Sequence, residues 1–175
     1  EVVKLIKNSN LDICLVFGTS LLKKEILSQK KTLFVNIHTG LTQYFRGVDS
    51  CFWAVFEECP EKIGVTIHKV ELGIDNGDVI FQSKTEINID DDIDTIFFKT
   101  CERGFDVLSE NILVLNAIDQ TRNIRSDNLL GKLYQYKDKD QNIIKEVNSK
   151  YNRVMKQYFS EKSKRDSSIS LINKR

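Results

Sequence analysis

The chain has 175 residues, the length of one ordinary domain with or without a tail. Its hydrophobic fraction of 41% and charged fraction of 29% can build a sizeable core and exclude a disordered composition. Lys and Arg number 26 and Asp and Glu 25, so the net charge gives no reason to expect a nucleic-acid or membrane partner. No apolar run approaches the roughly 18 residues that cross a bilayer. The first residues resemble neither a signal nor a transit peptide, and we expect a cytoplasmic location.

No metal is predicted. The two histidines are too few for a metal cluster, and the four cysteines lack metal-site spacing. Without a secretory signal, we expect the cysteines to be buried, reduced thiols. They are Cys14, Cys51, Cys59 and Cys101.

The first part of the chain alternates helical and strand patterns. Residues 1–9 are typical of the end of an amphipathic helix, and residues 12–17 and 32–37 are apolar runs typical of strands covered on both faces. Ser20 is placed to cap a helix over residues 21–29. This alternation predicts an α/β fold with parallel strands and helical crossovers.

Four further elements are predicted before residue 121. A helix is expected over residues 49–58, and two strands over residues 63–70 and 79–87, the second near a sheet edge. A long helix follows three aspartates that favour its positive end. Its apolar positions at helical spacing are Ile93, Phe97, Cys101, Phe105, Leu108, Ile112 and Leu115.

The character of the chain changes after the long helix. We divide it into a catalytic core over residues 1–121, an extension over 122–159 and a mobile tail over 160–175. Within the extension, residues 131–136 are expected to form a short strand or turn. Residues 142–159 carry a helical apolar stripe.

Three polar residues are arranged for acyl transfer. Asn36 and His38, two positions apart at the end of a predicted parallel strand, point the same way, towards the crevice where open α/β sheets bind ligands. Asp75 lies in a loop between two glycines. An Asn amide can donate to an oxyanion, and a His with an Asp can move protons. Taken singly, each element has a simpler explanation. Asn36 and His38 could serve in packing or in a loop hydrogen bond. The Asp75 loop could be a tight turn, or part of a calcium loop whose other ligands are absent.

Together, the three motifs resemble the formyltransferase family. Its signature runs Asn-Ile-His-Pro-Ser-Leu-Leu-Pro-x-Tyr-Arg-Gly, then Gly-Val-Thr-x-His, then Asp-x-Gly-x-Ile. The matching segments here are residues 36–47, 64–68 and 75–80, and the resemblance covers residues 12 to 120. It implies the C-terminal half of a Rossmann-like, doubly wound, mostly parallel sheet, with an added C-terminal helical extension.

The resemblance also implies a reaction and its residues. The co-substrate is 10-formyltetrahydrofolate, and protonated His38 and Asn36 stabilise the oxyanion while Asp75 tunes His38 and relays protons. The pterin is held largely by backbone groups, at positions matching Ser20, Leu21, Leu22, Leu72, Gly73 and Ile74. Further site-lining positions are Thr66, His68, Arg46 and Gly47. For Thr66 and His68, a purely structural role as hydrogen-bonded strand residues explains the sequence nearly as well.

The sequence departs from the family in two ways. Thr39 and Gly40 replace the Pro-Ser that follows the histidine, and Gln43 replaces the second proline, so other contacts must set this loop. The family places this strand in its fourth or fifth βα unit, so about 60 to 75 family residues have no counterpart ahead of Glu1. Two explanations agree with this difference: the sequence is a fragment of a longer protein, or it is a truncated homologue whose exposed sheet edge is covered by a partner.

The acceptor is expected to be a primary amine on a nucleotide-linked amino sugar, because the segment from Gly131 to Tyr136 and its following helix resemble the post-core extension of sugar N-formyltransferases. Glycinamide ribonucleotide formyltransferase, formyltetrahydrofolate hydrolase and a non-catalytic folate-binding homologue are the alternatives. Methionyl-tRNA formyltransferase ranks low, because the residues after Asp75 are helical and near neutral. A homodimer is also expected.

Overall fold

The computed structural model describes residues 2–28, 32–117 and 130–172. Helix α1 (Val2–Ser9) leads into strand β1 (Ile13–Val16), and helix α2 (Lys24–Leu27) leads into strand β2 (Leu33–His38). The two strands pair in parallel, with Ile13 opposite Leu33. The prediction of an α/β fold with a parallel β1–β2 pair is therefore confirmed.

The predicted helix over residues 21–29, capped by Ser20, is wrong. Helix α2 begins only after Lys23, and residues 19–23 are outside any helix. In this segment Leu22 packs against the buried cluster of Val16 and Phe34. This tertiary contact overrides the helical pattern of the segment.

The main sheet has the order β1–β2–β4–β5, with β4 at Gly64–Lys69 and β5 at Val79–Lys84. Strand β4 is antiparallel to both neighbours, so the prediction of a mostly parallel sheet is wrong for the described strands. Helix α3 (Ser50–Phe56) has seven residues, about 10 Å at 1.5 Å per residue. The chain therefore stays at the carboxyl end of β2, and β4 begins there.

Helix α4 (Ile93–Glu110) is followed by α5 (Ile112–Ala117). The Asp92 carboxylate accepts from the Thr95 N–H at 2.7 Å, as the predicted helix start requires. Of the predicted stripe, Leu108 and Leu115 are buried, whereas Phe97 and Phe105 are 39% and 48% exposed. The residues that α4 buries are Ile96, Thr100, Gly104, Val107 and Leu108.

Close contact at Gly104 decides which face of α4 is buried. A Cβ at this position would lie 2.6 Å from the side chain of Ile37 and 3.0 Å from that of Val65. The helix backbone thus rests directly on β2 and β4, and the aromatic positions turn outward. None of the described helices is long and apolar enough to cross a membrane.

The extension shares its core with α3. Strand β6 (Lys132–Tyr134) pairs in parallel with β3 (Phe45–Gly47), and the Tyr134 ring stacks on Trp53 with centroids 4.0 Å apart. Helix α6 (Gln141–Ser160) contributes buried side chains to the same cluster, close to its predicted stripe. They are Val147, Val154, Met155 and Tyr158.

The predicted mobile tail differs from the structure over residues 162–172. Helix α7 (Lys162–Ser167) is anchored by two ion pairs to the core. Arg165 pairs with Glu61 at 2.6 Å, and Asp166 pairs with Lys84. The tail is polar because its charged side chains face charged partners on the core. Residues 173–175 lie outside the described residues.

Candidate active site

Asn36, His38 and Asp75 come together above strand β2. The Asn36 amide nitrogen is 3.4 Å from Asp75 Oδ1, and His38 Nδ1 is 3.4 Å from Asp75 Oδ2. Asn36 and His38 share one face of β2, and the loop between β4 and β5 folds back to bring Asp75 to them. The structure therefore shows the convergence that the spacing predicts.

Strand β3 holds the Asp75 loop in place. The Gly47 N–H donates to Asp75 Oδ2 at 2.8 Å, and Arg46 donates to the carbonyl oxygens of Ile74 at 3.3 Å and Gly131 at 2.9 Å. Asp75 itself has a φ of +45°, a left-handed conformation that Asp and Asn tolerate better than most residues. Arg46 and Gly47 thus act here as supports of the Asp75 loop and of the extension.

Gly47 also joins the site to the extension. Its φ is +89°, and a Cβ here would overlap the carbonyl oxygen of Tyr134 on β6. Only glycine allows β6 to approach β3 this closely while the Gly47 N–H faces Asp75.

His38 is buried and uses both ring nitrogens within the protein. Its Nε2 lies 3.1 Å from the carbonyl oxygen of Phe45 and 3.3 Å from the Ser50 hydroxyl. The carbonyl can only accept, so Nε2 carries the proton and Nδ1 faces Asp75. Burial lowers the pKa of His38, and the nearby Asp75 carboxylate only partly opposes this. Because the Phe45 carbonyl and the Asp75 carboxylate are both acceptors, the two ring nitrogens suit an imidazolium, the protonated His38 that the family resemblance implies, whereas burial disfavours its charge.

His68 belongs to the same cluster. Its Nδ1 donates to the Lys69 carbonyl at 2.7 Å, which leaves Nε2 to accept from the Asn36 amide at 3.1 Å. The two hydrogens of the Asn36 amide thus point towards His68 Nε2 and Asp75 Oδ1. From the sequence, His68 could be either a site residue or an ordinary strand residue. Its partner Asn36 lies 32 positions away, so only the structure shows their contact.

Asp75 is ionised at neutral pH. Burial would raise the pKa of this carboxyl, but the neighbouring imidazoles of His68 and His38 and the Gly47 N–H lower it to about 2. A carboxylate of this kind accepts protons and orients its neighbours.

A narrow cavity of about 80 Å³ lies on one side of the cluster. Its walls are the loops over residues 19–22 and 70–76, and it contains the predicted pterin-binding residues Ser20, Leu21, Leu22 and Gly73. Asn36, His68 and Asp75 form its inner end. The predicted Leu72 does not line it and is largely exposed, and Thr66 is fully buried behind the site.

A wider cavity of about 500 Å³ adjoins the narrow one, and Thr19, Ser20, Leu21, Asn36 and Asp75 line both. Its rim carries three aromatic rings, of Phe17, Phe97 and Tyr136. The predicted Ile74 lines this cavity rather than the narrow one. The aromatic rim is absent from the predicted site, because its members come from three elements far apart in the sequence.

Ser50 is also absent from the predicted site. A Cβ at Gly40 would lie 2.5 Å from the Ser50 hydroxyl and 2.6 Å from His38 Nε2, so Ser50 fills the space beside His38 that a side chain at position 40 would need. Within the described residues, no group of three or more His, Cys, Asp or Glu side chains is placed to hold a metal ion.

An amide donor, a carboxylate and an imidazole at the junction of two cavities define a group-transfer site in an α/β protein. Residues 1–112 match the family model described as formyl transferase, and the chain belongs to this family.

Sequence relatives agree with this assignment. The methionyl-tRNA formyltransferase of Clostridioides difficile (strain 630) is 32% identical over 130 residues, which are 72% of this chain and 41% of that relative. The methionyl-tRNA formyltransferase of Ehrlichia ruminantium (strain Welgevonden) is 36% identical over 115 residues, 65% of this chain and 37% of that relative. The chain therefore spans less than half the length of these relatives.

Solved structures show the same fold. The formyltransferase PseJ from Anoxybacillus kamchatkensis, in complex with UDP-4,6-dideoxy-4-formamido-L-AltNAc and tetrahydrofolate, superposes with a TM-score of 0.62 at 22% identity. The superposition covers 74% of this chain and 67% of PseJ. Phosphoribosylglycinamide formyltransferase from Streptococcus pneumoniae TIGR4 superposes with a TM-score of 0.56 at 26% identity, over 65% and 63% of the two chains.

Proposed function

We propose that this protein transfers a formyl group from 10-formyltetrahydrofolate to a primary amine. The observation that carries the proposal is that Asn36 and Asp75 lie on the walls of both cavities. A donor in one cavity and an acceptor in the other would meet at these two side chains. We assign the narrow cavity to the pterin, between the loops over residues 19–22 and 70–76.

Each member of the cluster has a chemical role in this proposal. As the amine nitrogen bonds to the formyl carbon, negative charge develops on the formyl oxygen, and the Asn36 amide turns to donate to it. Asp75 takes the proton that the amine releases and passes it to the folate nitrogen as the bond between that nitrogen and the formyl carbon breaks. With a proton on Nδ1, His38 donates to the Asp75 carboxylate and orients it.

We propose a nucleotide-linked amino sugar as the acceptor. The cavity of about 500 Å³ has room for more than a small amine, and its aromatic rim suits stacking with a nucleobase. The net charge of +1 does not favour a polyanionic tRNA. The bound molecules of PseJ agree in kind with this acceptor.

Methionyl-tRNA is the second candidate acceptor, because the sequence relatives are methionyl-tRNA formyltransferases. Glycinamide ribonucleotide is the third, from the similarity to the S. pneumoniae structure. Homodimer formation and a cytoplasmic location also stay predictions, to be tested by light scattering and by cell fractionation.

A single assay tests the reaction and separates the alternatives. Tetrahydrofolate release is followed with 10-formyltetrahydrofolate and, in turn, an amino-sugar nucleotide, glycinamide ribonucleotide, methionyl-tRNA or no amine. Formate release without an amine would identify a hydrolase, and folate binding without any release would identify a non-catalytic homologue.

Variants of the cluster then test the residue assignments. Asn36→Ala, His38→Ala and Asp75→Ala are each expected to abolish transfer with the fold retained, whereas the exposed control Asn152→Ala keeps full turnover. Undiminished turnover in any of the three cluster variants would defeat the assignment.

A further inference from the structure

Buried polar side chains connect the end of the described chain to the loop that follows His38. The Ile172 N–H donates to Gln82 Oε1 at 2.9 Å, and Gln43 Nε2 donates to the Ser170 carbonyl at 3.1 Å. The Gln43 and Gln82 amides also bond to each other, at 2.6 Å and 3.1 Å. Residues 170–172 therefore hold two side chains that face the core.

The connection continues through Thr66. Gln82 Nε2 donates to the Thr66 hydroxyl at 3.0 Å, and that hydroxyl donates to the Gly40 carbonyl at 2.6 Å and accepts from the Thr42 N–H at 3.2 Å. Thr66 is 0% exposed and Gln82 4% exposed. Water cannot easily reach these two positions, so the hydrogen bonds of Thr66 and Gln82 depend on protein partners that stay in place.

The loop over residues 39–44 controls the setting of His38. It ends at Phe45, whose carbonyl accepts from the imidazole, and Gly40 lies against the same ring. The family prolines at positions 39 and 43 are absent here, so this loop backbone has more conformational freedom and needs other contacts to fix it. Gln43, at the second of these positions, supplies instead a side chain that bonds to Gln82 and Ser170.

We propose that residues 168–172 form a positioning strap for the His38 loop, with Gln43 and Gln82 as positioning residues that act through Thr66. The strap has its own anchor, because α7 directly before it is held to the core by Arg165 and Asp166. The effect of the strap on turnover rests on the proposed function, whereas its effect on the conformation of the His38 loop is independent of that function.

The first test compares the chain with a version that ends at Ser167 and so keeps the α7 anchor. Amide hydrogen exchange is expected to be at least ten-fold faster at Thr42 and Tyr44 in the shortened chain, and unchanged at Ile37 and Ile67 in the sheet. The ring signals of the two histidines report the site directly, and His38 is expected to shift while His68 stays. Unchanged exchange at Thr42 and Tyr44, or equal acceleration throughout the sheet, would overturn the proposal.

Point variants separate positioning from general stability. Gln43→Glu keeps the shape but loses both donated hydrogen bonds, so it is expected to reproduce the faster exchange at Thr42. Ser168→Ala removes a hydroxyl that bonds only to the Arg165 carbonyl and serves as the matched control within the strap. Loosening by Ser168→Ala equal to that by Gln43→Glu would refute the assignment of Gln43.

The third test restores the family residue. In the shortened chain, Gln43→Pro is expected to recover the protection of Tyr44 and the His38 signal, because proline stiffens the loop without the strap. In the transfer assay, loss of the strap is expected to lower kcat about ten-fold with the KM for folate unchanged, and proline to recover it. No recovery by either readout would contradict the strap. A wild-type chain without transfer would remove the proposed function and leave the exchange result to decide the strap.

Discussion

The two cavities that meet at Asn36 and Asp75 are built in different ways. The narrow one lies between two loops that are both within residues 1–112, the part of the chain that matches the family model. The wide one shares the loop over residues 19–21 with it and adds Tyr134–Tyr136, which lie outside that match, and it carries aromatic rings on its rim. On the proposed function, donor binding belongs to the family core, and acceptor binding uses the extension as well. Changes at the junction, on the extension side and on the rim should therefore have separable effects.

The largest effect is expected at the junction, because it serves both cavities. Asp75→Asn keeps a residue that tolerates the left-handed backbone and removes the carboxylate. We expect turnover to fall by about 10³-fold or more, the order found when a transition-state contact is lost. Folate binding, followed by fluorescence titration, should change little. The pKa of His38, followed by NMR, should fall further because the Asp75 charge that raises it is lost. An active Asp75→Asn enzyme would remove Asp75 from the chemistry.

Gly47→Ala is expected to disrupt most strongly the contact with the extension. The added Cβ would overlap the Tyr134 carbonyl, and φ is +89°, so the free energy of unfolding should fall by about 3 kcal/mol. Urea denaturation measures this. In the transfer assay the KM for the amine should rise more than the KM for folate. A matched Gly18→Ala, at a positive φ with open space around it, would separate backbone strain from the contact with β6.

The stability of the junction should depend on pH in a defined direction. The pKa of Asp75 is about 2 in the folded chain against an ordinary 3.8, so its stabilisation is present above pH 4 and is lost as pH falls towards 2. Asp75→Asn should therefore lower the free energy of unfolding by about 2 kcal/mol at pH 7. This difference should narrow steadily below pH 4. A constant difference between pH 7 and pH 3 would show that the carboxylate charge is not its cause.

The smallest effect is expected on the rim of the wide cavity. Tyr136 is 81% exposed, so Tyr136→Ala should leave the fold intact. It should weaken acceptor binding about ten-fold, the value of one base–aromatic stack. The KM of the amino-sugar nucleotide measures this, with Phe98→Ala as control, an exposed ring on α4 that lines neither cavity. An equal loss of folate affinity would contradict the division into donor and acceptor sides.

Much of the site is predictable because it is local. The alternation of side chains along a strand places Asn36 and His38 on one face, and the helical stripe of α6 predicts its buried side. The buried face of α4 is not predictable in this way, since the stripe through Phe97 and Phe105 is as regular as the one through Ile96 and Gly104. Contact of the helix backbone with Ile37 decides between them.

The role of His68 shows the same limit. The sequence places it on a strand and in a family motif, yet only the antiparallel pairing sets it opposite Asn36. That pairing follows from the short α3, which keeps the chain at one end of β2. The supports at Arg46 and Gly47 likewise depend on β6, which begins 85 positions after β3.

The sequence by itself determined the helices and strands with strong periodicity, the position of Asn36 and His38 on one face of a strand, and the family to which the chain belongs. Each of these depends on residues close together along the chain or on a motif in a fixed order. Only the tertiary structure decided the direction of β4, the two cavities at the junction and the bond between Gln43 and Ser170, 127 positions apart. Contacts of this range depend on how the whole chain closes on itself, which no local spacing encodes.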